Sequence, residues 1–213
     1  FMLYSFLVAI VQPFLNLING KAKIYNKENI PDGNYIIVAP HRTWMDPVLI
    51  ALAIYPKKFS FMAKKELFKN PIAAYFLKKL NAFPVDRKHP GPSAIKKPVQ
   101  ILRKTDLSTI IFPSGSRYSS KLKGGATLIA KLANVPLVPV VYQGPLKFSE
   151  LFKRHSRHIA FGKPIYIDRK NKLDEESQAK LESEMQQSFD ELDYQINPNY
   201  KYIMPPKPKD DDF

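Results

Sequence analysis

One stretch near residue 40 constrains the fold most strongly, because a buried strand there turns directly into a helix. Residues 35–39 (YIIVA) are apolar and rich in β-branched side chains, which is typical of a buried strand. Residues 47–55 (PVLIALAIY) begin with proline, which favours the first position of a helix. The residues between them, 40–46, therefore form a short polar turn at the end of a strand.

The same alternation of strands and helices continues along the chain, and it predicts an α/β fold in one domain. Strands are predicted at 23–25, at the sheet edge, and at 35–39, 59–63, 81–87, 108–112, 135–142 and 157–167, the last a pair broken at residues 162–164. Helices are predicted at 47–55, 93–106 and 174–196, within 67–80 with Asn70-Pro71 as cap and first turn, and within 121–133 with an opening near Gly125. Pro98 is expected in a first turn or at a break. A length of 213 residues with 45% hydrophobic side chains suits such a core.

The turn after the strand carries three ionisable residues, His41, Arg42 and Asp46. A carboxylate five residues after a histidine can accept a hydrogen bond from one ring nitrogen, which leaves the other nitrogen free as a base. An aspartate before a proline is also a favoured helix cap, and His41 would then be an ordinary loop residue. Taken alone, the turn favours the cap, because caps are far commoner than catalytic pairs.

The charge of the chain is strongly positive and unevenly distributed. The formal net charge is +14, with 26 Lys and Arg against 7 Asp and Glu in residues 1–166, and 7 against 12 in residues 167–213. A basic body suits an anionic partner such as a membrane surface or a phosphorylated substrate. Nucleic acid is disfavoured, because no reading motif or aromatic platform accompanies the lysines. Cysteine is absent, which excludes disulfides, thiolate metal sites and a cysteine nucleophile.

The first twenty residues contain no charged side chain, and two lysines follow closely. Pro13 and neighbouring polar residues favour a broken or kinked helix that enters one leaflet of a membrane over a full span. A buried core helix is the alternative. The predicted organisation is thus a membrane-associating helix at 1–20, a folded domain at 21–200 and a disordered tail at 201–213.

Two later strands also end in short motifs. The first of the two ends with an arginine and reads Phe83-Pro84-Val85-Asp86-Arg87. The second of the two combines small residues with an arginine and reads Phe112-Pro113-Ser114-Gly115-Ser116-Arg117. Such a turn can direct backbone N–H groups and a guanidinium towards a phosphate. Ser114 lacks the Gly-x-Ser-x-Gly context of a hydrolase nucleophile.

The order of these motifs resembles that of the glycerolipid acyltransferase family, in particular the bacterial 1-acyl-sn-glycerol-3-phosphate acyltransferases. The first motif is His-x4-Asp and the second is Phe-Pro-Val-Asp-Arg. The third is Phe-Pro-Ser-Gly-Ser-Arg, and the fourth is the Val-Pro-Leu-Val-Pro-Val of residues 135–140. The likeness runs from about Lys23 to Ile167. The resemblance implies a central, mostly mixed sheet flanked by helices. It also implies that residues 135–140 help to shape the acyl-chain site.

The resemblance assigns roles to individual residues. His41 is implied to be the general base and Asp46 its orienting partner. The implied substrate-binding residues are Lys64, Arg87, Ser114, Gly115, Ser116 and Arg117. Backbone N–H groups near the third motif are the expected donors to the oxyanion of the reaction. No metal or cofactor is expected.

The implied reaction transfers an acyl chain from acyl-CoA or acyl-carrier protein to the sn-2 hydroxyl of lysophosphatidic acid, which gives phosphatidic acid. The expected location is the cytoplasmic face of the cell membrane, as a monotopic or peripheral protein. The third motif departs from the family's Phe-Pro-Glu-Gly-Thr-Arg, with Ser114 for Glu and Ser116 for Thr. Another acceptor (glycerol-3-phosphate or another lysolipid) and a non-catalytic basic membrane-binding module are therefore the alternatives.

Overall fold

The computed structural model describes residues 2–86 and 89–207, which form a seven-stranded sheet covered by helices. The strands are β1 (Lys23–Tyr25), β2 (Ile36–Val38), β3 (Phe59–Lys64), β4 (Ala82–Val85), β5 (Ser108–Ile111), β6 (Leu137–Gln143) and β7 (His158–Phe161). The helices are α1 (Met2–Asn19), α2 (Asp46–Ala53), α3 (Pro71–Lys79), α4 (Ser93–Lys104), α5 (Gly125–Ala133) and α6 (Glu175–Ile196). The short 3₁₀ helices are Lys27–Asn29, Lys65–Phe68 and Phe148–Phe152.

The sheet is mixed, with the strand order β1-β7-β6-β2-β5-β3-β4. Neighbouring strands are parallel except β6 and β7, which are antiparallel. The predicted α/β fold with a mixed sheet is confirmed, and β1 lies at the edge as expected. Because β2, β5, β3 and β4 are parallel neighbours, the segments that follow them all emerge at the same end of the sheet, where α/β proteins bind ligands.

Side chains of the central strand alternate between two hydrophobic cores, as the pleat requires. Ile37 belongs to the core beneath α1 and α2, whereas Ile36 and Val38 belong to the core beneath α4, α5 and α6. In the second core, α6 buries one face of its amphipathic pattern through Met185, Phe189 and Leu192. Burial on both sides explains why β2 reads as a continuous apolar run.

Helix α1 packs on the body with its polar residues facing inwards. The Gln12 amide donates to the carbonyl of Leu52 at 3.3 Å, and the Asn19 amide donates to the carbonyl of Leu151 at 2.6 Å. Arg157 donates to the side-chain oxygen of Asn16 at 2.8 Å. Among the described residues, no helix has the length and hydropathy needed to cross a membrane.

The exposed side of α1 is apolar. Four side chains at helical spacing form this face, which we call the α1 stripe: Phe6, Ile10, Phe14 and Leu17. Leu17 is the most exposed of them, at 85%. The helix is continuous through Pro13, so the predicted break is not seen. Tyr4 and Val8 before the proline and Leu15 after it are buried.

Two local predictions differ from the structure. Pro98 lies within α4 rather than in its first turn or at a break, and it is buried there. The second half of the predicted 157–167 strand pair is reduced to one antiparallel bridge between Leu137 and Ile165. Pro164 lacks an N–H group, which limits how far this segment can pair.

Of the predicted disordered tail, residues 201–207 are described and 208–213 lie outside the described residues.

Candidate active site

The turn between β2 and α2 is held together by hydrogen bonds to the carboxylate of Asp46. Asp46 Oδ2 accepts hydrogen bonds from the backbone N–H groups of Arg42 at 2.7 Å and Thr43 at 2.8 Å. The same oxygen lies 3.1 Å from Nδ1 of His41. Asp46 is in the first turn of α2, and Met45 occupies the cap position without a side-chain hydrogen bond. The carboxylate therefore organises the loop and the imidazole, and it does not cap the helix.

The pairing decides which nitrogen of His41 is available. An ionised carboxylate only accepts hydrogen bonds, so Nδ1 carries the proton and Nε2 keeps its lone pair. The Asp46 side chain is 1% exposed and that of His41 is 10% exposed. This arrangement is the one that a histidine needs to act as a general base.

A ring from the third motif covers one face of the imidazole. Phe112, directly after β5, stacks on His41 with ring centroids 4.1 Å apart and an interplanar angle of 21°. The His41 ring is thus held at its edge by Asp46 and at its face by Phe112. Sequence reasoning did not single out Phe112, although it is the first residue of the third motif.

An open cavity of about 650 Å³ lies against His41, and the basic side chains of Lys64 and Arg117 line it together with the imidazole. The volume is within the usual range for small-molecule sites. The rest of the lining is mostly apolar and comes from several elements, for example Val8 and Val11 of α1, Val48 of α2, Met62 of β3 and Leu77 of α3. Burial raises the pKa of Tyr4, another lining residue, to about 12, so its hydroxyl stays uncharged. The cavity therefore combines a few basic side chains with a mostly apolar lining.

The third motif folds as a tight turn. The N–H of Gly115 donates to the carbonyl of Phe112 at 2.9 Å, and φ of Gly115 is +71°, a conformation that favours glycine. The buried hydroxyl of Ser114 donates to the carbonyl of Ser116 at 2.8 Å. The Gly115 N–H is thus used within the turn. The expectation that backbone N–H groups near this motif serve the oxyanion named no single residue, and it stays a prediction. Arg117, at the end of the turn, reaches the cavity.

Two further expectations concern Arg87 and residues 135–140. Arg87 lies outside the described residues. Within the part of the chain that the structure describes, the cavity lining includes no residue from 135–140. Most of this segment lies in β6, in the middle of the sheet, where Val138 and Val140 fill one core and Leu137 fills the other. Sequence reasoning also missed Asp193 of α6, which forms an ion pair with Arg42.

Comparisons with known proteins identify the family of the chain. Residues 21–143 match the family described as Acyltransferase. The 1-acyl-sn-glycerol-3-phosphate acyltransferase of Streptococcus pneumoniae is 47% identical over 194 residues, which cover 90% of this chain and 74% of the relative. The enzyme of the same name from Bacillus subtilis is 43% identical over 167 residues, covering 77% and 83%. The fold is similar to the crystal structure of the 1-acyl-sn-glycerophosphate (LPA) acyltransferase PlsC from Thermotoga maritima, with TM-score 0.66, 22% identity and coverage of 93% and 83%.

Proposed function

Because the chain belongs to the acyltransferase family, we propose that it transfers an acyl chain from a thioester to the sn-2 hydroxyl of 1-acyl-glycerol-3-phosphate. The product is phosphatidic acid. The observation that carries the proposal is the His41–Asp46 pair, which opens onto a cavity that Lys64 and Arg117 also line. One site thus combines a base, cations for a phosphate and apolar room for a chain.

In the proposed mechanism, Nε2 of His41 removes the proton of the acceptor hydroxyl as its oxygen attacks the thioester carbonyl. Asp46 stabilises the imidazolium that forms. The tetrahedral intermediate then collapses, the carbon–sulfur bond breaks, and the imidazolium returns its proton to the thiolate. No acyl-enzyme is needed, which agrees with a chain that has no cysteine.

Lys64 and Arg117 are the proposed ligands of the acceptor phosphate. A guanidinium can bind phosphate through two parallel hydrogen bonds, and a lysine adds a compact positive charge. Arg87 keeps the role that the resemblance implies, as a third phosphate ligand. Holding the phosphate fixes the distance between the acceptor hydroxyl and His41, which is a large part of catalysis.

The apolar part of the cavity is the proposed site of an acyl chain. Its walls include α1, so the N-terminal helix would contribute to substrate binding as well as to location. Burial of each methylene of a chain in such a cavity is worth about 0.8 kcal/mol.

We further propose that the α1 stripe rests on the cytoplasmic face of the membrane. Its side chains are apolar and exposed, and α1 directs its polar residues towards the body. Three aromatic rings lie close by, since Phe14 contacts Phe152, Phe152 contacts Phe148, and Phe148 stacks on Trp44. Trp44 is also a lining residue of the cavity. A lipid acceptor would then reach the cavity from the bilayer, and the basic body would favour anionic lipids.

A substrate panel tests this function. Purified protein is supplied with labelled acyl-CoA or acyl-carrier protein, and with lysophosphatidic acid, glycerol-3-phosphate or a lysolipid without a free phosphate. The proposal predicts labelled phosphatidic acid from lysophosphatidic acid with at least one donor. Product from glycerol-3-phosphate alone would instead indicate the first alternative and would point to Ser114 as the position that changes the acceptor.

A further inference from the structure

The side chain of Arg42, inside the catalytic turn, is held from the far end of the chain. Its Nη1 donates to Asp193 Oδ1 at 3.0 Å, and its Nη2 donates to Asp193 Oδ2. Nη1 also donates to the carbonyl of Tyr142 at 3.0 Å. The side chain of Arg42 is 7% exposed and that of Asp193 is 20% exposed, so the ion pair is largely removed from water.

Residues after α6 complete the enclosure of Arg42. The guanidinium carbon lies 5.0 Å from the ring centroid of Tyr200 and 5.5 Å from that of Tyr202, within the range of cation–π attraction. The hydroxyl of Tyr202 donates to the backbone carbonyl of Arg42 at 3.2 Å. We call Asp193, Tyr200 and Tyr202 the C-terminal brace.

Asp193 is itself fixed on the sheet. The amide of Gln143, at the end of β6, donates to Asp193 Oδ1 at 2.8 Å and to its backbone carbonyl at 3.0 Å. Burial disfavours the charge on Arg42, but hydrogen bonding and attraction to Asp193 outweigh it, and the pKa of Arg42 is raised. The guanidinium of Arg42 therefore stays charged across the pH range in which an enzyme works.

The backbone of Arg42 links this brace to the catalytic pair. The Arg42 N–H donates to the same oxygen of Asp46 that lies against His41 Nδ1. Movement of Arg42 would thus displace the carboxylate that sets the orientation of His41. We propose that Asp193 is a positioning residue, which acts through Arg42 to hold the His41–Asp46 pair in its reactive geometry.

The brace is a feature of this chain's C-terminal part. Residues 193–202 lie beyond the 21–143 region that matches the family. The inference rests on the proposed function, because it assigns a role relative to the proposed base. The catalytic turn then depends on a distant segment of the chain, since Arg42 and Asp193 are separated by 151 positions.

The experiment compares Asp193→Asn with Asp190→Asn, the same change at an exposed position of α6. Asp193→Asn keeps the size of the side chain but removes the charge that holds Arg42. We expect kcat to fall roughly 10- to 100-fold, as for a small misplacement of a catalytic group, with the KM values of both substrates nearly unchanged. Asp190→Asn should leave kcat unchanged. Tyr202→Phe, which removes one hydroxyl, should give a smaller loss of kcat.

A second readout does not depend on the substrate. The ring nitrogens of His41 are followed by ¹⁵N NMR in folded wild type, Asp193→Asn and Asp190→Asn, and we expect shifts only in Asp193→Asn. A variant that loses thermal stability while its kcat and His41 signals match wild type would overturn the proposal, because Asp193 would then only stabilise the fold. If wild type fails to acylate lysophosphatidic acid, the proposed function fails. In that case the NMR comparison by itself tests whether Asp193 positions His41, and unchanged His41 signals in Asp193→Asn overturn the inference.

Discussion

The imidazole of His41 stacks on the ring of Phe112, with 4.1 Å between the ring centroids. His41 follows β2 and Phe112 follows the neighbouring parallel strand β5, so the contact joins the first and third motifs directly. Together with the hydrogen-bonding distance to Asp46, it fixes both the plane and the rotation of the ring.

Phe112→Ala should therefore lower kcat about tenfold or more, because the imidazole loses the support of one face. Phe112→Tyr keeps the ring and should retain most of the activity. Steady-state kinetics on both variants check this. Phe76→Ala, at an exposed ring of α3 that is not among the residues lining the cavity, is the control. Equal activity of Phe112→Ala and wild type would show that the stacking is incidental.

Arg117→Ala should raise the KM for the phosphorylated acceptor roughly 10- to 100-fold, because a charge-assisted hydrogen bond to phosphate is lost. The KM for the acyl donor should change little. Arg103, an exposed arginine of α4, provides the matched control as Arg103→Ala. Initial rates with either substrate varied distinguish the two constants. A selective rise in the donor KM would assign Arg117 to the donor instead.

Ala63→Leu should shorten the acyl chain that the enzyme prefers, because Ala63 lines the apolar part of the cavity and a larger side chain would fill it. The measurement is the relative kcat/KM for a series of donors of increasing chain length. Ala179→Leu, on the exposed side of α6, should leave the series unchanged. The same chain-length profile for Ala63→Leu and wild type would place the acyl chain elsewhere.

Substitution in the α1 stripe should weaken membrane binding without unfolding the protein. Phe6→Ser and Leu17→Ser remove exposed apolar side chains, and each should reduce partitioning to anionic vesicles about tenfold. Tyr166→Ser changes an exposed side chain outside this helix, 72% exposed, and is the control. Vesicle sedimentation measures binding, and circular dichroism checks the fold. Equal binding by all three variants and wild type would exclude α1 as the contact.

Local sequence pattern predicts much of this fold, since β-branched runs, proline at helix starts and apolar periodicity are local properties. The carboxyl ends of β2 and β5 could also be anticipated as the site, because each of these strands runs into a polar motif. Whether a strand lines a cavity is not such a local property. Residues 135–140 read as a buried strand, but whether such a strand lines a cavity or fills the cores depends on its neighbours, β2 and β7.

Contacts between distant parts of the chain could not be predicted in this way. Nothing in the amphipathic pattern of α6 distinguishes Asp193 from Asp190, and only the folded chain brings Asp193 to Arg42. The contacts of the inward polar residues of α1 could not be predicted from the sequence either. Gln12 and Asn19 read as interruptions of an apolar helix until their acceptors, the carbonyls of Leu52 and Leu151, are placed against them.

The most direct test of the account is acyl transfer to lysophosphatidic acid by wild type and by His41→Ala, with His155→Ala at an exposed histidine as the control. Loss of a general base typically costs 10²- to 10⁴-fold in rate. We predict labelled phosphatidic acid from wild type and His155→Ala, and a loss of about this size in His41→Ala with the acceptor KM retained. Turnover by folded His41→Ala at the wild-type rate would contradict the account, because the reaction would then proceed without the proposed base.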